Sequence, residues 1–200
     1  MHPYIAHLSK DKKLKRRIEE RGEIPLNKKK NIPLHLCASI MSQQLSVKVA
    51  RVIYKRFLEL YGKKEPTPRQ IFDTPHETLR SIGLSNAKVS YVKNVAQFAI
   101  ENDMSSRKLG KMSNEEVIEY LLPIKGVGRW TVEMLLIFTL GREDVFAPDD
   151  LGIQNFMVEN FKLDTSNKKK LREDMLRISA RWSPYRSFAC LHIWNWDNKS

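Results

Sequence analysis

Apolar residues recur along this 200-residue chain at three- and four-residue spacing, which is the period of one face of an α-helix. No stretch alternates apolar and polar residues as a strand would, and no repeat of 30 to 40 residues is visible. The pattern predicts an all-α fold of roughly ten short helices joined by loops of ordinary length. The positions with the helical period are Leu36, Cys37, Ile40, Met41, Val49, Val52, Ile53, Phe57 and Leu60 in the first half, and Ile153, Phe156, Met157, Phe161, Leu171, Met175, Ile178 and Trp182 in the second.

Capping residues indicate where several of these helices begin. Two Thr-Pro pairs place a capping residue before a proline at the first helical position. Thr74 with Glu77, and Ser113 with Glu116, have the spacing of a capping box. Ser46 is expected to cap the helix that follows the polar interruption at residues 42–46.

The charge balance points to a polyanionic partner. The chain has 35 Lys and Arg against 23 Asp and Glu, a formal net charge of +12, and nucleic acid is the simplest ligand for such an excess. No apolar run approaches the ~18 residues of a membrane-spanning helix, and no signal-peptide pattern is visible. We therefore expect no membrane association, and a cytoplasmic location, or a nuclear one in a eukaryote.

Length and cysteine content restrict the organisation further. Two hundred residues are expected to form one domain, residues 1–200, with a core that needs no metal or disulfide. Cys37 and Cys190 lie in apolar helical segments and are expected to be buried free thiols. Two cysteines also exclude a four-cysteine iron–sulfur cluster.

A glycine-containing turn lies between two predicted helices at residues 123–128, with the sequence Pro-Ile-Lys-Gly-Val-Gly. Gly126 and Gly128 are expected to allow a positive φ and a close approach of backbone to ligand. The N–H groups at the start of the next helix form an anion site, to which Lys125 and Arg129 add mobile positive charge. The alternative is a helix end followed by a tight turn without a ligand; the net charge favours phosphate binding.

Two acids follow the next helix, which contains Trp130 and Met134. Asp149 and Asp150 come after Pro148 at the start of a further helix, and Asp149 is expected to be its N-cap. A carboxylate at a helix start is favoured in its charged form. A charged carboxylate facing DNA is repelled by the phosphates, so its presence there makes sense only if it takes part in the reaction. From spacing alone the acids are either caps or catalysts.

Several separated motifs together resemble a known family. They are Leu-Pro-x-x-Gly-Val-Gly-Arg-Trp-Thr at 122–131, Phe-x-Pro-Asp-Asp at 146–150, Ile-x-Ser-Gln-Gln-x-Ser at 40–46, Ile-Gly-Leu-Ser with Lys at 82–88, and an aromatic, basic segment at 182–194. These motifs, taken in their order along the chain, resemble those of the helix–hairpin–helix (HhH-GPD) DNA glycosylases, and among them the AlkA-like DNA-3-methyladenine glycosylase II group.

The resemblance implies a helical fold of two lobes with a DNA-binding cleft between them. It also implies base excision repair activity, in which the N-glycosidic bond of an alkylated purine, of the 3-methyladenine or 7-methylguanine type, is hydrolysed after the nucleotide is flipped out of duplex DNA. Asp150 would be the catalytic acid, which stabilises the oxocarbenium-like sugar and orients water.

The resemblance also assigns a base pocket. Trp130 and Trp194 would stack on the cationic base, and without the resemblance both would be interpreted as core aromatics. Met134 would line the same pocket, where the AlkA-like enzymes carry a tyrosine, so base selectivity is expected to differ. Bifunctional relatives have a Schiff-base lysine at the position of Trp130, so a monofunctional enzyme is expected.

Further DNA contacts follow from the same resemblance. Gln44, with Leu45 beside it, would fill the gap left by the flipped nucleotide; AlkA has leucine at the Gln44 position and other members have glutamine, so both residues remain candidates. Ser46 belongs to the same DNA-contacting segment.

A monovalent Na⁺ or K⁺ ion is the only cofactor that the resemblance suggests. The carbonyls of Leu122, Ile124 and Val127 would hold this ion against a phosphate. The β-containing N-terminal lobe of AlkA is expected to be absent, and the protein is expected to be a monomer.

Two other functions are alternatives to a glycosylase. One is a non-catalytic helix–hairpin–helix DNA-binding protein, in which Asp149 and Asp150 only cap a helix. The other is a helix-turn-helix regulator, but no helix carries Arg, Asn and Gln along one face as a recognition helix does.

Overall fold

The computed structural model describes residues 2–194, and every regular element in that range is helical. This confirms the predicted all-α fold. The α-helices are α1 (Pro3–Leu8), α2 (Lys12–Arg21), α3 (Ile32–Ser42), α4 (Val47–Glu59), α5 (Pro68–Asp73), α6 (His76–Ser81), α7 (Asn86–Glu101), α8 (Ser106–Lys111), α9 (Asn114–Leu121), α10 (Arg129–Phe138), α11 (Leu151–Phe161), α12 (Lys168–Ser179) and α13 (Arg186–Trp194), with a short 3-10 helix at Ala180–Trp182.

The chain divides into two compact units. The terminal unit combines residues 1–27 with residues 136–200, and the central unit comprises residues 28–135. No helix within residues 2–194 has the length and apolar character needed to cross a bilayer.

The core of the central unit forms where α7 packs against α3 and α5. Cys37 on α3 and Val92 on α7 are fully buried, and the Cys37 thiol donates a hydrogen bond of 3.7 Å to the Val92 carbonyl. Burial raises the pKa of the Cys37 thiol to about 12. The thiol therefore stays protonated at neutral pH and serves as an apolar core group, which confirms the prediction of a buried free cysteine.

The core of the terminal unit joins the first helices to the last. Tyr4 on α1 stacks on Phe188 of α13 with ring centroids 4.0 Å apart. The indole N–H of Trp182 donates a 2.8 Å hydrogen bond to Asp11, which precedes α2. His192 is buried against the Tyr4 hydroxyl, 3.3 Å from it.

The basic N-terminal run is an amphipathic helix rather than only a charged surface. Leu14 and Ile18 on α2 are buried, while Lys12 and Lys13 are exposed. Burial against α13, a distant part of the chain, stabilises α2. The local sequence has few apolar positions among many charges, so it does not predict this helix.

Most of the predicted helix starts are confirmed. Ser46 accepts a hydrogen bond from the third N–H of α4, and Ser113 forms the predicted capping box with Glu116. The box predicted at Thr74 is wrong, since its hydroxyl donates instead to the Gln70 carbonyl at 2.7 Å. The Thr74 hydroxyl thus bonds to the end of α5 and does not cap the start of α6.

Candidate active site and nucleic-acid interface

The turn between α9 and α10 is short and internally bonded. The Ile124 N–H donates to the Leu121 carbonyl at 3.1 Å, and the Val127 N–H donates to the Ile124 carbonyl at 2.9 Å. These bonds close the chain into a hairpin, and α10 begins two residues after Val127. The first N–H groups of a helix have no partner within it, so the start of α10 stays the predicted anion site.

The two glycines of the hairpin have different reasons to be glycine. Gly126 has a φ of 99°, the positive value that was predicted, and a Cβ there would collide with the Tyr91 ring. The same prediction is wrong for Gly128, whose φ is not positive. A Cβ at Gly128 would meet no atom within 4 Å, so this position is open on the side where a side chain would project.

The hairpin is also attached to α7. The Asn94 side chain donates a 3.0 Å hydrogen bond to the Lys125 carbonyl, while the Lys125 side chain is exposed. The backbone of the hairpin is therefore anchored, and a contact of the exposed Lys125 ammonium with phosphate stays a prediction.

Arg129 is held by carboxylates on both sides. Its terminal nitrogens donate to both oxygens of Glu115, at 2.8 and 2.7 Å, and its Nε donates to Glu133 at 3.2 Å. The hydrogen bonds from Arg129 lower the pKa of Glu115, and Glu133 is only 2% exposed. The expectation of a mobile cation at Arg129 is therefore wrong; the guanidinium links α9 to α10.

The junction between α3 and α4 projects Gln44. Gln44 is exposed and has a φ of 58°, in the left-handed region that a glutamine seldom adopts. Leu45 beside it is partly buried. A left-handed residue with a side chain costs about 1 kcal/mol or more, so the surrounding contacts must stabilise this conformation.

Lys88 supplies one of those contacts. Its ammonium donates to the Met41 carbonyl at 2.9 Å and to the Gln43 carbonyl at 2.6 Å. Burial lowers the pKa of Lys88. The junction carbonyls left over at the end of α3 are thus satisfied by a side chain from α7.

Gln43 supplies a second contact. Its side-chain amide donates to the Thr131 hydroxyl on α10 at 3.0 Å. Sequence reasoning missed both Lys88 and Gln43 as positioning groups because their partners lie more than 40 residues away along the chain. The junction and the start of α10 are therefore connected by side chains.

Trp130 and Met134 lie one turn apart on α10, and so on the same face of that helix. Trp130 is partly exposed, and Met134 is 8% exposed. Their assignment to a base pocket stays a prediction.

Asp150 begins α11 and is itself the N-cap. Its Oδ1 accepts the Ile153 N–H at 3.0 Å and the indole N–H of Trp194 at 2.7 Å. Two donors from different elements fix the orientation of this partly buried carboxylate. The structure thus brings together two residues that the sequence assigned to one site, Asp150 and Trp194.

The prediction that Asp149 is the N-cap is wrong. Asp149 is exposed and forms an ion pair with Arg172 on α12. Either acid is a good cap by its chemistry, and the donors supplied by Trp194 and α11 select Asp150.

Phe138 packs against Trp194, the indole that donates to this carboxylate. Its ring lies 5.5 Å from that of Trp194 at an interplanar angle of 30°, and it is 44% exposed. No role for Phe138 was predicted from the sequence, because its ring partner Trp194 lies 56 residues away along the chain.

Comparison with known proteins agrees with this arrangement. The family model described as "HhH-GPD superfamily base excision DNA repair protein" matches residues 37–181. The putative DNA-3-methyladenine glycosylase YfjP of Bacillus subtilis is 31% identical over 95% of this chain and 67% of the relative. The DNA-3-methyladenine glycosylase 1 of Schizosaccharomyces pombe is 38% identical over 80% of this chain and 69% of the relative.

A solved structure has a closely similar fold. The S. pombe 3-methyladenine DNA glycosylase Mag1, in complex with abasic DNA, matches with a TM-score of 0.84 and 34% identity, over 96% of this chain and 95% of that one. The family match over most of the chain, the hairpin and the acid at the start of α11 agree, and the chain belongs to the HhH-GPD superfamily of base excision DNA repair proteins.

Proposed function

We propose that this protein is a monofunctional DNA glycosylase that hydrolyses the N-glycosidic bond of alkylated purines in duplex DNA. The observation that carries the proposal is the Asp150 carboxylate, held by the N–H groups of Trp194 and Ile153 beside the stacked rings of Trp194 and Phe138. The names of the relatives, DNA-3-methyladenine glycosylases, support the substrate class.

Cleavage of this glycosidic bond requires a negative charge beside the sugar more than it requires a group that donates a proton. As the bond between C1′ and the base nitrogen breaks, its electron pair goes to the base and the sugar becomes oxocarbenium-like. An oriented carboxylate at Asp150 stabilises that positive charge. Water then forms the new bond to C1′ and gives up a proton, and an abasic site remains.

The damaged base itself needs little proton donation. Methylation at N3 or N7 makes the bound base cationic, so it departs as a neutral molecule. Flat aromatic faces bind such a cation, and exposed Phe138 with partly buried Trp194 would provide them. We assign Trp130 and Met134 to contacts with the flipped base as well; the unbranched thioether of Met134 adapts to bases of different outline.

The hairpin and the junction are proposed to hold the DNA. The backbone at Gly126 and Gly128, the first N–H groups of α10 and the Lys125 ammonium would take one phosphate. Gln44 and Leu45 are the candidates for the side chain that replaces the flipped nucleotide, and the exposure and left-handed backbone of Gln44 favour it. Ser46, exposed and next along the chain, would contact the same strand.

A monovalent cation fits the same hairpin. Backbone carbonyls are the ligands that Na⁺ and K⁺ take. We propose that the carbonyls of Leu122, Ile124 and Val127 hold such an ion; the Ile124 carbonyl accepts one N–H, from Val127, which leaves its second lone pair for the ion. The ion would place positive charge beside the phosphate.

Trp130 supports the absence of a lyase step. A tryptophan has no amine that forms a Schiff base, and it occupies the position where bifunctional relatives carry lysine. Borohydride is therefore expected to trap no complex between enzyme and substrate DNA, and a trapped complex would overturn this part of the proposal.

Two variants test the function. Asp150→Asn removes the charge but keeps a residue that caps helices as well as aspartate does, so the fold is retained. Wild type is expected to release 3-methyladenine and 7-methylguanine from alkylated duplex DNA, and Asp150→Asn to release them at least a hundredfold more slowly. Asp149→Asn, the matched control, is expected to retain excision.

The outcomes separate the alternatives. Binding of duplex DNA by a wild type that releases no base identifies a non-catalytic DNA-binding protein. Equal activity of wild type and Asp150→Asn shows that Asp150 is not the catalytic group. A monomer on duplex DNA, in the cytoplasm or in a eukaryotic nucleus, remains the expected setting.

A further inference from the structure

A groove with a volume of about 680 Å³ lies in the terminal unit between α11 and the first turns of α12. The proposed reaction does not use it. Gln154 and Asn155 of α11 line one side, and Lys168, Lys169 and Arg172 of α12 line the other.

The groove has a surplus of positive charge. Its charged lining residues are Lys168, Lys169, Arg172 and Asp149, three cations against one carboxylate, which gives a net charge of +2. Asp149 pairs with Arg172. Neither Lys168 nor Lys169 forms an ion pair with any residue in the range 2–194, and both are exposed. The surplus charge is therefore that of the two lysines.

The position of the groove relative to the catalytic candidate identifies its ligand. Asp149 lines the groove, and its neighbour Asp150 is the proposed catalytic carboxylate, about 3.8 Å away between Cα atoms. Each deoxyribose of a strand carries a phosphate on both sides, and the groove begins at the residue next to Asp150. The groove is thus within reach of a backbone phosphate beside a sugar held at Asp150.

We propose that this groove binds the backbone phosphates next to the flipped nucleotide, through Lys168 and Lys169. The inference rests on the proposed function, since it uses the placement of a nucleotide at Asp150. An acidic peptide would also match the charge. DNA is favoured because the groove borders the residue that must meet a deoxyribose, in a chain with a net charge of +12.

Lys170 provides a matched control in the same helical turn. It is exposed like Lys168 and Lys169 but does not line the groove. Alanine at any of the three positions removes one charge from the first turn of α12, and alanine is favourable in a helix. Thermal unfolding of each variant is expected to match that of wild type.

The test measures binding of the full chain to a fluorescent duplex with a tetrahydrofuran abasic analogue, between 50 and 200 mM salt. Log K falls with log salt, and each phosphate contact that is lost reduces the steepness of this fall by about 0.9. Lys168→Ala and Lys169→Ala are each expected to reduce the steepness by about that amount, and the double variant by about twice as much. Lys170→Ala is expected to leave the slope unchanged.

Equal slopes in all variants overturn the proposal, and so do equal decreases in all three single variants, which would reflect overall charge alone. A polyglutamate peptide that binds wild type and Lys170→Ala but not Lys168→Ala/Lys169→Ala, with unchanged DNA slopes, would assign the groove to an acidic protein and also overturn it. Binding does not require catalysis, so excision by wild type with unchanged slopes disproves the groove alone. Altered slopes without excision disprove the glycosylase function alone.

Discussion

The indole N–H of Trp194 donates a 2.7 Å hydrogen bond to Oδ1 of Asp150. The last described residue of α13 thereby fixes the carboxylate that begins α11, and the same indole ring stacks on Phe138. One tryptophan presents an aromatic face and sets the direction of the neighbouring negative charge. In the proposed reaction, Trp194 would thus contact the base and position the carboxylate that stabilises the sugar.

Trp194→Phe separates these two roles. Phenylalanine keeps an aromatic face toward Phe138 but cannot donate to Asp150. A hydrogen bond to a charged group contributes about 1.5–3 kcal/mol, so the single-turnover excision rate is expected to fall by about tenfold to a hundredfold. Phe138→Leu, which keeps the indole donor, is expected mainly to weaken substrate binding. An unchanged rate in Trp194→Phe would show that the hydrogen bond has no role in catalysis.

Lys88→Met is expected to impair nucleotide flipping. It removes the donor to the Met41 and Gln43 carbonyls, so the left-handed conformation of Gln44 loses support. The rise in fluorescence of a 2-aminopurine next to the lesion, on binding, is expected to shrink several-fold.

Lys93→Met is the matched control for that variant. Lys93 is also on α7 and donates to one carbonyl, that of Phe72, away from the junction. Both variants are expected to be less stable by about 1–2 kcal/mol. Equal fluorescence changes in the two variants would show that Lys88 contributes stability only.

Alanine at the two hairpin glycines is expected to act differently. Gly126→Ala forces a Cβ into the Tyr91 ring at a positive φ, so a loss of about 2 kcal/mol or more in unfolding free energy is expected. Gly128→Ala meets no atom, so its stability should stay within about 0.5 kcal/mol of wild type while DNA affinity falls. Urea unfolding and duplex binding measure the two effects. Wild-type DNA affinity in Gly128→Ala would contradict a close backbone approach there.

Glu115→Gln removes the charged partner of the terminal nitrogens of Arg129, while Glu133 still accepts from its Nε. Both Glu115 and Arg129 are substantially exposed, so the loss of stability is expected to be below about 1 kcal/mol. The less neutralised guanidinium is expected to raise duplex affinity about fivefold at low salt. Glu116→Gln removes the same charge one residue later and keeps the capping box, so it reports the effect of net charge alone. If both variants raise the affinity equally, Arg129 has no specific part in binding.

His192 predicts a stability that falls with acidity. Burial, and secondarily the charge of Arg21, lower the pKa of His192 from 6.5 to about 4. The unfolded chain takes up a proton at this residue below about pH 6.5 and the folded chain only near pH 4, so its stabilising contribution is complete above pH 6.5 and is lost between pH 6.5 and 4. The expected loss is roughly 3 kcal/mol.

Comparison with His192→Gln isolates this group. Glutamine keeps a polar partner for the Tyr4 hydroxyl but does not titrate in that range. The difference in unfolding free energy between wild type and variant is expected to shrink or reverse from pH 7 to pH 4. A difference independent of pH would show that His192 has the same pKa in the folded and the unfolded chain.

Local patterns predicted most of the helices, though not α2, and most of their starts, because the helical period and the capping residues are encoded within a few neighbours. Asp149 and Asp150 show the limit of this reasoning: adjacent acids have equal capping chemistry, and the choice depends on Trp194, 44 residues away. Arg129 is a second example: its charge predicted a mobile cation, but the guanidinium donates to Glu115, 14 residues away. Side-chain partners distant in sequence thus determined what local patterns left open.

The complete burial of Cys37 affects how this protein responds to alkylating agents. Methylating agents attack thiolates before most other protein groups. A thiol with a pKa of about 12 and no exposed surface exposes almost no thiolate to them. The agents that create alkylated bases would therefore leave this core cysteine unmodified.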